Sequence, residues 1–418
     1  MFGDGFDCVP MPGKPGEGYA MWQGGNVSHF NTKTHQITPI KPQHPQGVEL
    51  RFNWNAAIAV DPNLNTGVYF GSQFVHYSLD QGRSWKIISP DLTTNNKLKL
   101  QQAKSGGLTV DATGAENHCT ILAIAPAASD VKVVWAGTDD GNIQVTRDGG
   151  ASWNNVALNI KGAPKEAWVP YLWVNPKNAG ECWAVINNYR QNDWNAYLFK
   201  TTDFGKTWTS ALGTAPASDG EWGYVHSVLP HPQNQNLVFM GTDRGLWMSL
   251  NGGKDWMKWK EGFPSVPVTD LKIQSRENDL VVGTFGRGIW VFDHLNVLVD
   301  LAAGSTAKAP ISVQGIKIAA STPGYLAQTM SNAGMHFGAN TEFEAPNKMG
   351  GVKLDIWAVS KKNKDQWEKL KLVGTVYNEA GEKIRTHHFS LDSTGLYRIP
   401  YRMISDGVRF PQHKGAVL

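Results

Sequence analysis

Short apolar runs that end near a proline recur along much of the chain and are typical of β-strands. A second apolar run follows each of them, and a third apolar run leads into a polar turn. The four full frames begin at AIAVDP (57–62), ILAIAP (121–126), YLWVNP (171–176) and SVLPHP (227–232). Partial copies of the frame lie on either side, at residues 19–40 and 268–293. The pattern predicts repeating groups of short antiparallel strands.

An eight-residue turn motif closes each full frame. Its copies are SLDQGRSW (78–85), TRDGGASW (146–153), TTDFGKTW (201–208) and SLNGGKDW (249–256). Asp and Gly permit a tight turn, the carboxylate can accept backbone N–H bonds, and Trp can cover apolar side chains between repeats. We therefore assign structural roles to the Asp or Asn, the Gly and the Trp of each copy. These residues are Asp80, Gly82, Trp85, Asp148, Gly150, Trp153, Asp203, Gly205, Trp208, Asn251, Gly253 and Trp256.

The spacing of the turn motif predicts the fold. Successive copies are 48 to 68 residues apart, which is enough for one four-stranded blade and its loops. We predict an all-β chain whose residues 1–300 form a β-propeller of about six or seven four-stranded blades. In this prediction the N-terminal strands complete the last blade, and residues 94–116 are one source of a seventh blade.

The turn motif resembles the Asp-box, or BNR, repeat of sialidases, sortilin-type receptors and xyloglucan-cleaving glycosidases. Blade order and the segments GTDDGNIQVTRDGGASW and ENDLVVGTFGRGIWVFD are most similar to exported bacterial sortilin-like proteins often named "glycosyl hydrolase, BNR repeat". The resemblance covers roughly residues 15–295. It implies an exported protein in which such a segment usually follows another propeller and ends in a small β-sandwich.

The C-terminal part of the chain fits that implied sandwich. Apolar and polar residues alternate at 351–360, a hairpin pattern surrounds Gly381, and a further strand pattern covers 393–403. These segments resemble the Ig-like domain of the same proteins, so we predict a linker at 301–340 and an Ig-like β-sandwich at 341–418. The chain ends before the expected last strand, so we expect a fragment of a longer exported polypeptide.

Composition and charge exclude several kinds of partner and cofactor. The 39 Lys and Arg nearly balance the 36 Asp and Glu and form no block, which argues against nucleic-acid binding. No apolar run of transmembrane length occurs, and the first residues lack a signal-peptide pattern. The three cysteines match no metal-ligand spacing, so we predict neither a metal nor a cofactor.

Candidate site residues belong to the propeller rim opposite the turn motifs, where ligands usually meet propellers. A glycosidase needs two carboxylates roughly 5 to 9.5 Å apart. The acids we would test are Glu116, Asp139, Glu166 and Glu221. The ligand-binding candidates are Arg51, Trp54, Trp168, Trp194, Trp222, Arg244 and Arg287. Further residues of this rim are Asn53, Asn117, His118, Asp140, Lys165, Tyr189, Arg190, Asp193, Asp219, His226 and Asp243.

Two functions remain open from the sequence. The first is a noncatalytic binding or scaffolding propeller of a cell-surface or periplasmic assembly, with a protein or a glycan as its ligand. The alternative is a glycoside hydrolase whose cleft is shared with a second propeller. A sialidase is not expected, because no Tyr and Glu pair accompanies Arg51, Arg244 and Arg287.

Overall fold

Six consecutive β-sheets form a β-propeller in the computed structural model, which describes residues 3–101, 117–215, 221–260, 262–304, 315–318, 352–359, 371–391 and 395–401. Within each sheet every strand is hydrogen-bonded to its neighbour in the sequence, and the pairs of the first five sheets are antiparallel. The first strands of neighbouring sheets contact one another, so they are the innermost strands of the blades.

The first three sheets have four strands each. The first contains β1 (Gly5–Pro10), β2 (Glu17–Trp22), β3 (Asn26–Asn31) and β4 (Gln36–Pro39). The second contains β5 (Ile58–Val60), β6 (Val68–Gly71), β7 (Val75–Ser78) and β8 (Lys86–Ile87). The third contains β9 (Ile121–Pro126), β10 (Val134–Thr138), β11 (Ile143–Thr146) and β12 (Asn154–Asn155), and a 3-10 helix at Ala157–Asn159 follows it.

The next two sheets repeat this plan, and the sixth sheet has three strands in the described part of the chain. The fourth contains β13 (Trp168–Asn175), β14 (Asn178–Asn188), β15 (Asp193–Thr201) and β16 (Thr209–Ser210), with a 3-10 helix at Tyr189–Gln191. The fifth contains β17 (Val225–Pro230), β18 (Val238–Thr242), β19 (Gly245–Ser249) and β20 (Met257–Lys258). The sixth contains β21 (Val268–Gln274), β22 (Asp279–Thr284) and β23 (Ile289–Phe292).

Hydrophobic cores lie between adjacent sheets. Trp135 is fully buried between the third and fourth sheets, and Trp247 is fully buried between the fourth and fifth. The second strand of a blade has neighbours on both sides, and every residue of β6, β10 and β18 is buried. The apolar runs of the sequence therefore form the interface between blades.

The number of blades agrees with the predicted six or seven, but the pairing at the N-terminus differs from the prediction. Strands β1 to β4 form a sheet of their own instead of completing the last blade, because β1 supplies the first strand that the sequence pattern did not reveal. Residues 94–101 contain no strand, and the rest of the segment considered for a seventh blade lies outside the described residues.

The chain divides into two compact units, one of residues 1–272 with 281–290 and the other of residues 273–280 with 291–418. Beyond the sixth sheet, the elements of the second unit are α1 (Asn296–Gly304), β24 (Gly315–Ile318), β25 (Val352–Val359), β26 (Lys371–Tyr377), β27 (Lys383–Ser390) and β28 (Gly395–Tyr401). Strands β24, β25 and β28 form one sheet, and β26 and β27 form another. No helix among the described residues is long and apolar enough to cross a membrane.

Candidate functional site

The turn motifs connect the third and fourth strands of four blades, and their carboxylates are used inside the turns. Asp80 accepts hydrogen bonds from the backbone N–H of Ser84 at 2.8 Å and from its hydroxyl at 2.7 Å. Equivalent bonds lower the pKa of Asp148 and of Asp203 to about 2. Asn251 accepts the corresponding backbone bond from Asp255 at 2.9 Å. These hydrogen bonds explain why the third position of the turn motif is Asp or Asn, and no catalytic role is needed to account for it.

The Gly and Trp of the turn motif join one blade to the preceding one. Gly82 has a φ of +86°, and a side chain there would collide with Ile40 of the first blade. Trp85 donates its indole N–H to the Ile40 carbonyl at 2.7 Å, and Trp153 donates to the carbonyl of Ile88 at 2.9 Å. Trp208 instead bonds to the carbonyl of Gly205 in its own turn, at 3.1 Å.

The opposite end of the blades contains the turns between second and third strands and the starts of the first strands. Asp139 is fully buried there and accepts bonds from Asn53 at 3.1 Å and from the Thr120 hydroxyl at 2.6 Å. Burial raises the pKa of Asp139 to about 7. Asp140 accepts two bonds from Thr94, at 2.6 and 2.7 Å. Both carboxylates therefore hold neighbouring blades together.

The four candidate acids lie in different surroundings. Glu116 lies outside the described residues, and Asp139 has no exposed surface. Glu166 forms an ion pair with Lys99 at 2.6 Å, and Glu221 forms one with Arg244 at 2.9 Å. The exposed fractions of these two glutamates are 59% and 81%. The described residues thus place none of the three acids as an unpaired carboxylate in a cleft.

Two of the ligand-binding candidates, Arg51 and Trp222, contact other residues of the chain. Arg51 forms an ion pair with Asp91 at 2.8 Å and donates to the Cys119 carbonyl at 3.3 Å. Trp222 packs against Trp247 with ring centroids 4.7 Å apart. Of the remaining ligand-binding candidates, Trp54 is half-buried and Arg287 is exposed.

Four aromatic residues of the fourth and fifth blades gather at this end of the propeller, and we call them the aromatic surface: Trp168, Tyr189, Trp194 and Tyr224. The rings of Tyr189 and Tyr224 stack with centroids 4.5 Å apart. The ring of Trp194 lies 5.8 Å from that of Tyr224 and 6.0 Å from that of Tyr189. Trp194 is 54% exposed, so its ring remains available to a ligand.

Arg190 connects the parts of the aromatic surface. Its guanidinium carbon lies 3.4 Å from the ring centroid of Trp168 and 4.4 Å from that of Tyr189. Partial burial lowers the pKa of Arg190, although an arginine keeps its charge at neutral pH. The nearby aromatic faces favour this cation through their negative quadrupole.

Two further polar groups adjoin the aromatic surface. The ring of His226 lies 4.8 Å from that of Tyr224, and burial together with the charge of Arg190 lowers its pKa to about 4. Burial raises the pKa of Asp243. Nε2 of His226 and Oδ1 of Asp243 are buried and have no hydrogen-bond partner within the described residues. Most buried polar atoms in folded proteins have a partner, so these two are exceptions.

No family model matches the sequence. One curated relative, the probable oligoxyloglucan-reducing end-specific xyloglucanase of Neosartorya fischeri, is 30% identical over 99 residues, which are 23% of this chain and 11% of the relative. The chain thus matches about a tenth of that protein's length.

Three solved structures are similar at low sequence identity. An ancestral GH74 enzyme has a TM-score of 0.42 and 15% identity over 84% of this chain and 39% of that chain. The GH74 xyloglucanase from Xanthomonas campestris has a TM-score of 0.40 and 17% identity, over 69% and 52%. The extracellular domain of a putative hybrid two component system from B. thetaiotaomicron has a TM-score of 0.44 and 13% identity, over 69% and 33%.

The sequence predicts only some residues of the aromatic surface as site residues. Trp168 and Trp194 were ligand candidates, and Tyr189 and Arg190 were assigned to the same rim. Tyr224 was missed. The available signal was its position two residues before His226, because alternate residues of a strand share a face. The described residues contain no group of three or more acidic, His or Cys side chains placed to hold a metal.

Proposed function

We propose that the chain is a glycoside hydrolase-like β-propeller that binds a polysaccharide across its aromatic surface. The observation that carries the proposal is the exposed ring of Trp194 beside the stacked pair Tyr189 and Tyr224. Sugar rings present apolar C–H faces together with hydroxyl groups, and aromatic residues with polar edges complement both.

The sequence match supports a plant-type glucan as the first polysaccharide to test. The curated relative is named as a xyloglucanase, and the match, although short, reaches 30% identity. We further propose that the turn motifs are Asp boxes of the BNR class, that residues 341–418 belong to an Ig-like sandwich, and that the protein is exported. These finer assignments rest on the resemblance of the sequence motifs.

The aromatic surface accounts for binding rather than for bond cleavage. Glycoside hydrolysis requires a carboxylic acid and a carboxylate on either side of the scissile bond. Asp139 is buried, and Glu166 and Glu221 are held in ion pairs. We therefore propose that hydrolysis takes place in a cleft shared with a second propeller, as in the alternative above, while this surface holds the polysaccharide. A purely scaffolding propeller that binds a protein is the competing proposal.

Affinity electrophoresis in gels containing xyloglucan tests the proposal. We expect the wild-type protein to be retarded and Trp194→Ala to lose about two- to tenfold in affinity, because one stacked aromatic contact contributes about 0.5–1.5 kcal/mol. Tyr377→Ala is the matched control, since Tyr377 is a 59% exposed aromatic residue on β26. Reducing-end release is measured in parallel. Retardation by no polysaccharide in a mixed panel, or equal retardation of wild type and Trp194→Ala, would contradict the proposal.

A further inference from the structure

The arginines at this end of the propeller differ in their partners. Arg51 is paired with Asp91 at 2.8 Å, and Arg244 is paired with Glu221 at 2.9 Å. Arg190 has neither an ion pair nor a hydrogen bond among the described residues, and its contacts are the rings of Trp168 and Tyr189. A charged group that lacks an acceptor in the folded chain is available to an acceptor on a ligand.

The way Arg190 is held determines which ligand groups it can bind. The 3.4 Å between the guanidinium carbon and the Trp168 ring centroid is a stacking distance, and a stacked guanidinium group keeps its N–H donors in its own plane. Because the 3.4 Å approach to Trp168 restricts the group, little conformational freedom is lost when those donors bind a partner. A planar set of donors matches a carboxylate, which can accept two parallel hydrogen bonds.

Among the described residues, no carboxylate forms an ion pair with Arg190. The groups that influence its pKa, besides burial, are Tyr189, Tyr224 and Asp139. Asp139 is fully buried and is already bonded to Thr120 and Asn53. The neighbouring His226 is neutral at pH 7, because its pKa is about 4. Asp243, which also adjoins the aromatic surface, is partly buried, and that burial raises its pKa.

We infer that Arg190 binds the carboxylate of an acidic sugar while neighbouring sugar rings stack on Tyr189, Tyr224 and Trp194. The preferred ligand is thus a polysaccharide that contains uronic acid units. This inference rests on the proposed function and adds the chemical class of the ligand.

A pair of polymers that differ only in their carboxylates tests the inference. The probes are xyloglucan and the same xyloglucan after oxidation of its primary hydroxyl groups to carboxylates, with affinity measured by calorimetry at low salt. We expect wild type to bind the oxidised form at least about tenfold more tightly, since a hydrogen-bonded charge pair adds more than a neutral bond. Arg190→Met should lose this preference and still bind the unoxidised polymer, because its apolar stem still covers Trp168.

The controls separate the inference from the function on which it rests. Arg244→Met removes a paired rim arginine and should keep the preference for the oxidised polymer, and Trp194→Ala should weaken binding of both polymers alike. Equal wild-type affinity for the two polymers, or an unchanged preference in Arg190→Met, overturns the inference and leaves polysaccharide binding intact. Binding of neither polymer overturns both. Arg190-dependent binding of a sulfated glucan as tight as that of the oxidised polymer overturns the assignment to carboxylate.

Discussion

At the residue scale, His76 shows how burial ties a protonation state to folding. Its ring is fully buried, and its Nε2 lies 2.8 Å from the hydroxyl of Ser72. The aromatic rings of Phe52 and Trp85 surround it, with centroids 6.5 and 6.4 Å away. Burial, with a smaller effect from the charge of His44, lowers the pKa of His76 to about 4. The folded protein therefore keeps this imidazole neutral.

We expect His76 to make folding stability depend on pH. Between pH 6.5 and about 4, His76 becomes protonated in the unfolded chain but stays neutral in the folded protein. The contribution of His76 to the free energy of unfolding is therefore fully present above pH 6.5 and is lost as the pH falls. The total loss is about 3 kcal/mol. Urea unfolding at pH 7 and pH 5 should show a larger drop for wild type than for His76→Gln.

An exposed histidine provides the control for this prediction. His35 is exposed and has a φ of +57°, a backbone conformation that Asn tolerates well. His35→Asn should therefore lose as much stability as wild type when the pH falls. Parallel losses in wild type and His76→Gln would show that His76 is not the source.

At the element scale, one glycine position sets how closely neighbouring blades approach. Gly71, Gly137 and Gly241 each lie near the end of the second strand of a blade, and the first strand of the next blade packs against them. A Cβ at Gly241 would stand 2.4 Å from the Val268 carbonyl oxygen, which belongs to the backbone and cannot rotate away. At the corresponding Gly283 in β22, the nearest atom to an added Cβ within the described residues would be the Asp270 carbonyl oxygen, at 3.6 Å.

Alanine at these two glycines should have different effects on stability. We expect Gly241→Ala to lower the free energy of unfolding by about 1–3 kcal/mol, because the added methyl group forces the fifth and sixth blades apart. Gly283→Ala makes the same chemical change at ordinary van der Waals distances from its neighbours and should stay within about 0.5 kcal/mol of wild type. Thermal and urea unfolding of both variants provide the measurement, and equal effects would contradict the packing argument.

Strand prediction succeeded where apolar runs pack between blades and failed where they do not. The frames that begin at residues 57, 121, 171 and 227 contain buried second strands, so their apolar runs are long and visible. Strand β1 has only exposed or half-buried residues, and its six residues include Gly5, Asp7 and Pro10. Strand β1 pairs with β2 through backbone hydrogen bonds, which any residue except proline can donate. This pairing therefore needs no regular pattern of apolar residues that the sequence could reveal.

At the scale of the whole molecule, the candidate site depends on contacts that sequence spacing does not show. Trp194 and Trp222 look alike in the sequence, but the first is 54% exposed and the second packs against Trp247. The sequence pattern places Asp139 in a turn. In the structure it is buried and bonded to Asn53 and Thr120, which come from other segments of the chain. The rim could be predicted from strand order, whereas the choice among its residues required the packing of blades.

The second compact unit has a buried ion pair of its own. Arg398 on β28 donates two hydrogen bonds to Asp355 on β25, at 2.7 and 2.8 Å, and a third to the His294 carbonyl at 3.0 Å. The side chain of Asp355 is 6% exposed. A buried carboxylate that loses such a partner remains charged in a poorly solvated place, which is strongly destabilising.

Arg398→Met should therefore destabilise the second unit by about 3–5 kcal/mol. In hydrogen exchange measured by mass spectrometry, we expect β25 and β28 to lose protection while β14 and β18 of the first unit keep theirs. Arg276→Met is the control within the second unit, because Arg276 is 80% exposed and its pairing with Glu277 contributes little. Equal loss of protection in both units would mean that the two compact units unfold as one cooperative body.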